Sequence, residues 1–83
     1  MMEIKVRYLG GLRQEMGAEV GSLSLPGNAT VADLEASLRG LGLDLDENKN
    51  IAVLNQRGLD QWPPDLKLAP GDEVLVFPNI AGG

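Results

Sequence analysis

The sequence has no histidine and no cysteine among its 83 residues. The chain therefore lacks an imidazole base, a thiolate nucleophile, the commonest protein metal ligands and any disulfide. Ser22, Ser24 and Ser37 have no histidine base to activate them, so we interpret them as surface residues rather than nucleophiles. Most hydrolytic and redox chemistry by the chain's own side chains is excluded, and we expect it to bind no cofactor or metal.

Positive charge and long apolar runs are also scarce. Seven lysines and arginines stand against twelve aspartates and glutamates, which gives a net charge of −5. That sign is wrong for binding nucleic acid or an anionic membrane, and it favours a basic partner protein. No apolar run comes near the roughly 20 residues of a membrane span, and Met1–Val6 shows no secretory-signal pattern. We therefore expect a cytoplasmic protein with no nucleic-acid or membrane partner.

The length allows a single domain, because a chain below about 100 residues supplies only one hydrophobic core. With 43% apolar and 23% charged residues, the composition is that of a globular protein. A domain this small has no room for a deep, enclosed active site. We predict one folded domain over residues 1–78, a flexible tail over residues 79–83, and no enzyme that acts alone.

Alternation of apolar and polar residues predicts strands at both ends of the domain and between them. These strands are Met2–Leu9, Glu19–Leu25, Ile51–Leu54, a brief strand at Leu66–Leu68, and Glu73–Phe77. A short helical turn is predicted from Leu12 to Met16. The segment Gln56–Asp65 contains a glycine and two prolines and is predicted to be a long irregular excursion.

The main helix is predicted to begin after Thr30, whose hydroxyl can cap it with help from Asp33. Helical spacing then places four apolar residues on one side: Val31, Leu34, Leu38 and Leu41. The order of elements implies an α+β roll with this helix across one face of a sheet. If the first and last strands are central neighbours, they must be parallel, because a long crossover joins them.

Two further features have competing interpretations. Asp44, Asp46, Glu47 and Asn48 are close in sequence, but they lack the glycine and the final bidentate acid of a calcium loop. We therefore interpret that segment as a solvated connector. Trp62, next to two prolines, is interpreted as a clamp that holds its loop on the core, with a recognition edge as the alternative.

The chain ends with a short arm after Phe77 and Pro78. Pro78 has no N–H, so we expect it to stop strand pairing and direct the arm outward. The arm finishes in Gly82 and Gly83. Because glycine lacks Cβ, such an end can pass through a narrow channel and present its carboxylate there. We predict a chemical role for the Gly83 carboxylate and a steric role for Gly82.

These residues resemble a known family. Gly71-Asp72-Glu73-Val74, Phe77-Pro78 and Ala81-Gly82-Gly83 are similar to the end of the molybdopterin synthase small subunit and related ubiquitin-like sulfur carriers. The opening strand and the helix after Thr30 match in order, so the resemblance spans the whole chain. It implies the β-grasp (ubiquitin-like) fold, an α+β roll whose mixed sheet has four or five strands and one main helix across one face.

The resemblance also implies a function. A ubiquitin-activating-type enzyme, which itself supplies ATP and Mg²⁺, would adenylate Gly83. The adenylated end would become a thiocarboxylate, with sulfur from a donor such as a persulfide protein. The acceptor would be the molybdopterin synthase large subunit, in molybdenum or tungsten cofactor biosynthesis, or another sulfur acceptor. Carriers for thiamine, tRNA thiolation or cysteine synthesis, small protein modifiers, and an interaction module that is never activated remain alternatives.

Strand alternation also predicts a docking patch. If the helix-facing residues of the terminal strands include Val6 and Val76, three large apolar side chains must face away from the helix near the tail. These are Leu9, Leu75 and Phe77. We predict that a partner binds there, with Pro78 beside the patch and Arg7 at its rim. The alternative is that the Gln56–Asp65 segment folds over these side chains.

Overall fold

The computed structural model describes residues 1–46 and 49–79. The elements in chain order are β1 (Met2–Tyr8), α1 (Leu12–Met16), β2 (Val20–Leu25), α2 (Val31–Gly40), β3 (Asn50–Leu54), β4 (Arg57–Gly58), a 3₁₀ turn (Leu59–Gln61) and β5 (Glu73–Pro78). The four longer strands, the short helical turn and the main helix are thereby confirmed. No helix in these two ranges has the length and apolar character that a membrane crossing requires.

All five strands lie in one mixed sheet, in the order β2-β1-β5-β3-β4. β1 and β5 are parallel at its centre, with Val6 level with Val74 and Tyr8 level with Val76. The other neighbouring strands pair antiparallel. The first and last strands are thus central neighbours, a pairing that periodicity alone could not establish, and they are parallel as their long crossover requires. The β-grasp arrangement of a mixed sheet with one main helix is confirmed.

The hydrophobic core lies between α2 and one face of the sheet. β1 alternates strictly, so Ile4 and Val6 are fully buried while Lys5 is exposed. Burying an aliphatic side chain of this size stabilises the fold by roughly 1.5–3 kcal/mol. The helix contributes three buried side chains: Val31, Leu34 and Leu38. The prediction for Leu41 is wrong, because the helix ends at Gly40 and the Leu41 side chain is 41% exposed.

The start of α2 is fixed by a reciprocal capping box. The Thr30 hydroxyl accepts a hydrogen bond from the Asp33 N–H at 3.3 Å, and the Asp33 carboxylate accepts one from the Thr30 N–H at 2.9 Å. These bonds satisfy N–H groups that would otherwise have no partner at the helix start. The predicted N-cap and its partner are both confirmed.

The segment after β3 differs from its prediction. Asn55 and Gln56 have φ of 50° and 70°, which makes a tight hairpin turn into β4. The next residues return to the core, since Leu59 is buried and the Trp62 indole N–H donates to the Leu54 carbonyl at 3.0 Å. Trp62 therefore clamps this segment onto the core, as predicted. The excursion is ordered by tertiary contacts that its glycine and prolines did not reveal.

The brief strand predicted at Leu66–Leu68 is wrong. Only one isolated bridge forms there, between Lys67 and Thr30. It is flanked by hydrogen bonds from the Val31 N–H to the Leu66 carbonyl and from the Leu68 N–H to the Ala29 carbonyl, at 2.9 and 3.0 Å. The segment therefore ties the start of α2 to the chain that leads into β5, without joining the sheet.

Candidate functional site

The sheet face opposite α2, here called the outer face, carries partly buried apolar side chains. Ile51, Val53, Leu75 and Phe77 lie on it, outside the buried core. Strand pairing places Phe77 level with Ile51, and Leu75 level with both Val53 and Arg7. The predicted facing of Leu75 and Phe77 away from the helix is therefore correct.

A shallow apolar groove lies at one end of the outer face and is here called the exit groove. It is lined by Leu9, Gly10, Gly11, Ile51, Phe77, Pro78 and Asn79. Leu9 is 38% exposed and lies beside β5, where its N–H donates to the Val76 carbonyl at 3.0 Å. The groove thus combines two of the three predicted patch residues, and Leu75 lies one pleat away from it on the same strand.

The segment Gln56–Asp65 does not line the exit groove. Its apolar residue Leu59 is part of the buried core, and with Asp60 it borders a small cleft that also includes Glu35 of α2. The segment therefore packs toward the helix side, and the alternative in which it folds over Leu9 and Phe77 does not describe this structure. The apolar side chains of the groove are left accessible to a partner.

Arg7 lies at the edge of the apolar part of the outer face. Its Nε donates to the Glu73 carboxylate at 2.9 Å, and the two side chains are 44% and 38% exposed. An ion pair with this exposure contributes little to stability, about 0–1 kcal/mol. The pair does, however, hold a guanidinium next to Leu75, where it can make a polar contact at the rim of an interface.

The base of the tail is held more tightly than the sequence indicated. Pro78 is the last residue of β5 and lies level with Asn50 of β3, and the Asn79 N–H donates to the Lys49 carbonyl at 2.9 Å. Pairing therefore continues past Pro78, and the expectation that this proline stops it is wrong. Hydrogen-bonded pairs alternate along antiparallel strands, and Asn79 is in such a pair with Lys49, so the N–H that Pro78 lacks would face β1 rather than β3. The ladder between β5 and β3 is therefore not interrupted. Asn79, which we assigned to the tail, belongs to the paired body.

A glycine on the neighbouring turn makes room for Pro78. Gly10 has φ of +62°, and a Cβ built there would lie 3.3 Å from the Pro78 Cδ. Gly10 and Gly11 come directly after the first predicted strand, and nothing next to them in the sequence connects them to the tail. The pairing of β1 with β5 brings them together, and strand alternation alone contains no signal for that contact.

The chain end for which the sequence predicts a chemical role lies outside the described residues. Gly82 and Gly83, on which the chemical prediction depends, are among residues 80–83, and Glu47 and Asn48 of the acidic connector are also outside. Within residues 1–46 and 49–79 no group of three or more acidic side chains is placed to hold a metal ion. Burial raises the pKa of the Tyr8 hydroxyl, which lies on the helix side of the sheet. The exit groove itself is lined mainly by apolar side chains and two glycines, a surface suited to binding.

Comparison with known proteins places the chain in a family. The model of the ThiS family matches residues 6–83. A protein of Pyrococcus furiosus described as molybdopterin converting factor subunit 1 is 28% identical, with a TM-score of 0.71, covering 96% of this chain and 100% of that one. The HVO 2177 protein of Haloferax volcanii is 29% identical, with a TM-score of 0.70, covering 99% and 87%.

A more distant likeness supports the same fold. SAMP1 from Haloferax volcanii is 22% identical, with a TM-score of 0.70, covering 98% of this chain and 99% of that one. The family match covers nearly the whole chain and agrees with the β-grasp topology. The chain is a non-enzymatic member of the ThiS family of ubiquitin-like sulfur carriers.

Proposed function

We propose that this protein carries sulfur as a thiocarboxylate on Gly83, after a partner enzyme has adenylated that carboxylate. The observation that carries the proposal is the position of Asn79. It is paired to Lys49 and also lines the exit groove, so the last four residues start directly beside an accessible apolar surface. A partner that binds this surface would have the chain end within reach of its own active site.

The chemistry requires no side chain of the carrier. A Gly83 carboxylate oxygen attacks the α-phosphorus of ATP and releases pyrophosphate, which makes the acyl carbon an electrophile with AMP as its leaving group. A sulfur nucleophile supplied by the partner system then displaces AMP. Sulfide gives the thiocarboxylate directly, whereas a persulfide gives an acyl disulfide, from which a thiol of the partner system releases the thiocarboxylate and forms a disulfide with the donor. ATP and Mg²⁺ bind to the activating enzyme. This division of labour suits a chain without histidine or cysteine.

The exit groove is the proposed contact for the activating enzyme and, later, for the sulfur acceptor. A four-residue arm tethers poorly by itself, so the folded body must supply most of the affinity. Phe77 and Leu9 offer apolar anchors, Leu75 and Pro78 extend the surface, and Arg7 lies at its rim. The net charge of −5 favours partners whose facing surface is basic.

Molybdopterin biosynthesis is the proposed pathway. The relative from Pyrococcus furiosus matches along its full length at 28% identity and is described as a molybdopterin converting factor subunit. On this proposal the acceptor is a molybdopterin synthase large subunit. Transfer of sulfur to a thiamine precursor, a tRNA or a cysteine precursor, or conjugation to proteins, would instead identify one of the other carrier functions.

The absence of cysteine makes a direct test available. After incubation with an activating enzyme, ATP and a sulfur source, iodoacetamide should alkylate the wild-type chain once, because a thiocarboxylate would be its only thiol-like nucleophile. Alkylation also separates the product from methionine oxidation, which changes the mass by nearly the same amount, about 16 Da. The control is a chain lacking Gly83. Alkylation of both chains, or of neither under conditions that modify a known carrier, contradicts the proposal.

A further inference from the structure

The two edges of the sheet differ in how well they are protected against pairing with a further strand. At one edge, β4 has only two residues, and the Trp62 indole N–H lies 3.3 Å from the Arg57 carbonyl and 3.0 Å from the Leu54 carbonyl. The Arg57 guanidinium also lies over the Trp62 ring, 5.1 Å from its centroid. This edge is short and covered by a large side chain, so it offers no template for another strand.

The opposite edge, β2, has none of these protections. It is six residues long and reads Val-Gly-Ser-Leu-Ser-Leu. Natural proteins usually protect such an edge with a lysine, a proline, a bulge or an inward-pointing charge. β2 contains no charged residue and no proline, and the first proline, Pro26, follows its last residue. A second strand can therefore approach it along its whole length.

The register identifies the backbone groups that face this open edge. The Tyr8 N–H donates to the Glu19 carbonyl at 2.8 Å, so this pair is one of the hydrogen-bonded pairs of β1 with β2. Along antiparallel strands, hydrogen-bonded pairs alternate with pairs that are not hydrogen-bonded. Gly21 and Leu23 therefore hydrogen-bond to β1, whereas the N–H and C=O groups of Val20, Ser22 and Ser24 point away from it. No turn, loop or cap in residues 1–46 and 49–79 hydrogen-bonds to these three residues.

We propose that β2 pairs antiparallel with β2 of a second copy of this chain, about a two-fold axis at Ser22. Ser22 then lies opposite its own counterpart, and Val20 lies opposite Ser24 of the other copy. Every outward N–H meets an outward C=O in this register, because the three outward residues are symmetric about Ser22. The five-stranded sheets of the two copies would become continuous across the seam.

The charged side chains nearest the seam are compatible with a second copy. In the existing sheet Glu3 is level with Ser24, and Arg7 is level with Val20. Lys5 is level with Ser22. The two-fold register therefore gives two rows that hold Glu3 of one copy and Arg7 of the other, and one row at the axis that holds Lys5 of both copies. The charged residues in each row are about three strand spacings, or 14 Å, apart. Glu19, the acid next to the strand, is already paired with Arg13 at 3.2 Å. The paired part of the two β2 strands contains only valine, glycine, serine and leucine, so no like charges lie directly opposite each other there.

The proposed dimer leaves the exit groove free. β2 is separated from β5 by β1, so each copy keeps its own groove and tail. The contact is small for a protein interface, and two chains of net charge −5 repel each other. We therefore expect weak association that strengthens with added salt, because screening reduces the repulsion while backbone hydrogen bonds remain.

Sedimentation equilibrium from about 10 μM to about 1 mM tests the proposal. The wild-type mass should rise with concentration from 8.8 kDa toward twice that value. Ser22→Pro removes an outward N–H without touching a bond to β1, and should weaken association at least about tenfold. Ser22→Thr keeps the N–H and is the matched control. Should the proline variant not fold, Ser22→Lys serves instead, since it places like charges opposite each other at the axis.

Amide hydrogen exchange gives a second, site-resolved readout. At low concentration the amides of Val20, Ser22 and Ser24 should exchange fast while those of Gly21 and Leu23 are protected, and high concentration should slow the first set. A chain that stays monomeric at about 1 mM overturns the proposal, even if an added peptide protects the same amides. Association that survives Ser22→Pro and is lost in Phe77→Ala also overturns it, because the contact would then use the outer face.

Discussion

Alternate residues of β5 belong to two different regions of the molecule. Val74 and Val76 are fully buried against α2, whereas Leu75 and Phe77 lie half-buried on the outer face. All four are apolar and lie within one continuous strand, so side-chain type does not distinguish them. The pleat does, because successive residues of a strand point to opposite faces. One strand thus supports the fold with one set of residues and offers a binding surface with the other.

The comparison implies that stability and partner engagement can be changed separately. The buried core of the described residues runs from Met2 to Val76 and does not include the exit groove anchors Leu9 and Phe77. Substitutions on the helix side should therefore destabilise the fold. Substitutions on the outer face and in the tail should leave the protein folded but weaken partner binding or adenylation. The predictions below test this separation, beginning with the largest effect.

Removal of Gly83, or addition of one residue after it, should abolish adenylation completely. The reacting carboxylate would then be displaced from its position in the partner's active site, and no other group of the chain can replace it. The melting temperature should stay within error of the wild type. Incorporation of AMP label and a thermal melt measure the two quantities. Normal adenylation of an extended chain that mass spectrometry shows to be untrimmed would contradict the assignment.

Leu34→Ala should lower the free energy of unfolding by about 2–5 kcal/mol, because it leaves a cavity at a side chain with no exposed surface. Partner affinity per folded molecule should stay unchanged, since Leu34 lies on α2, on the far side of the sheet from the exit groove. Urea unfolding gives the stability, and titration with the activating enzyme, corrected for the folded fraction, gives the affinity. A large loss of corrected affinity would show that the two faces are coupled.

Phe77→Ala should show the opposite pattern. We expect partner binding to weaken by about 2 kcal/mol or more, because a central aromatic anchor would be lost. Stability should fall much less than in Leu34→Ala, since Phe77 remains partly exposed in the free protein. Calorimetric titration and urea unfolding provide the measurements. Should this variant unfold while the folded fraction binds normally, Phe77 would belong to the core and the proposed docking surface would be wrong.

Gly82→Ala should reduce turnover by the activating enzyme at least about tenfold, with little change in binding, because the added methyl obstructs a narrow channel only while the tail is threaded. Steady-state kinetics with the activating enzyme separate kcat from KM. Equal losses in binding and turnover would count against a purely steric role.

Gly10→Ala should have the smallest effect and needs a matched control. Its left-handed φ costs alanine about 1 kcal/mol, and the same penalty applies to Gly17→Ala, where φ is +72° and nothing lies within 4 Å of the added methyl. Only the Gly10 variant also presses on Pro78. We expect similar urea stabilities, a slightly larger loss for Gly10→Ala, and slower adenylation for that variant alone. Equal adenylation rates would show that the Pro78 contact does not position the tail.

Local signals in the sequence were sufficient to predict most of the strands and helices. The capping box at Thr30 and Asp33 involves residues three apart, so it forms wherever that segment becomes helical. The alternation in β1 and β5 correctly assigned the facing of Val6, Val76 and Phe77, because a single register determines every side chain of a strand. The tail motif, together with this order of elements, was also sufficient to indicate the family.

Other features could not be read from neighbours in the chain. The clamp of Trp62 on the Leu54 carbonyl, which orders the segment between them, depends on a hairpin that the glycine and prolines obscured. Leu41 was expected to be buried from its helical spacing, yet α2 ends one residue before it. In both cases the burial of the side chain depends on where the chain turns back onto the core.

The candidate site also combines features that the sequence predicted with features that only the tertiary structure shows. The sequence by itself determined which side chains face away from the helix and that the chain ends in two glycines. Only the tertiary structure decided that Gly10 accommodates Pro78, that Ile51 completes the exit groove, and that Asn79 remains paired to Lys49. These contacts join residues about 30 to 70 positions apart. They exist because β5 inserts between β1 and β3, and a pattern that repeats every second residue carries no information about which strands become neighbours.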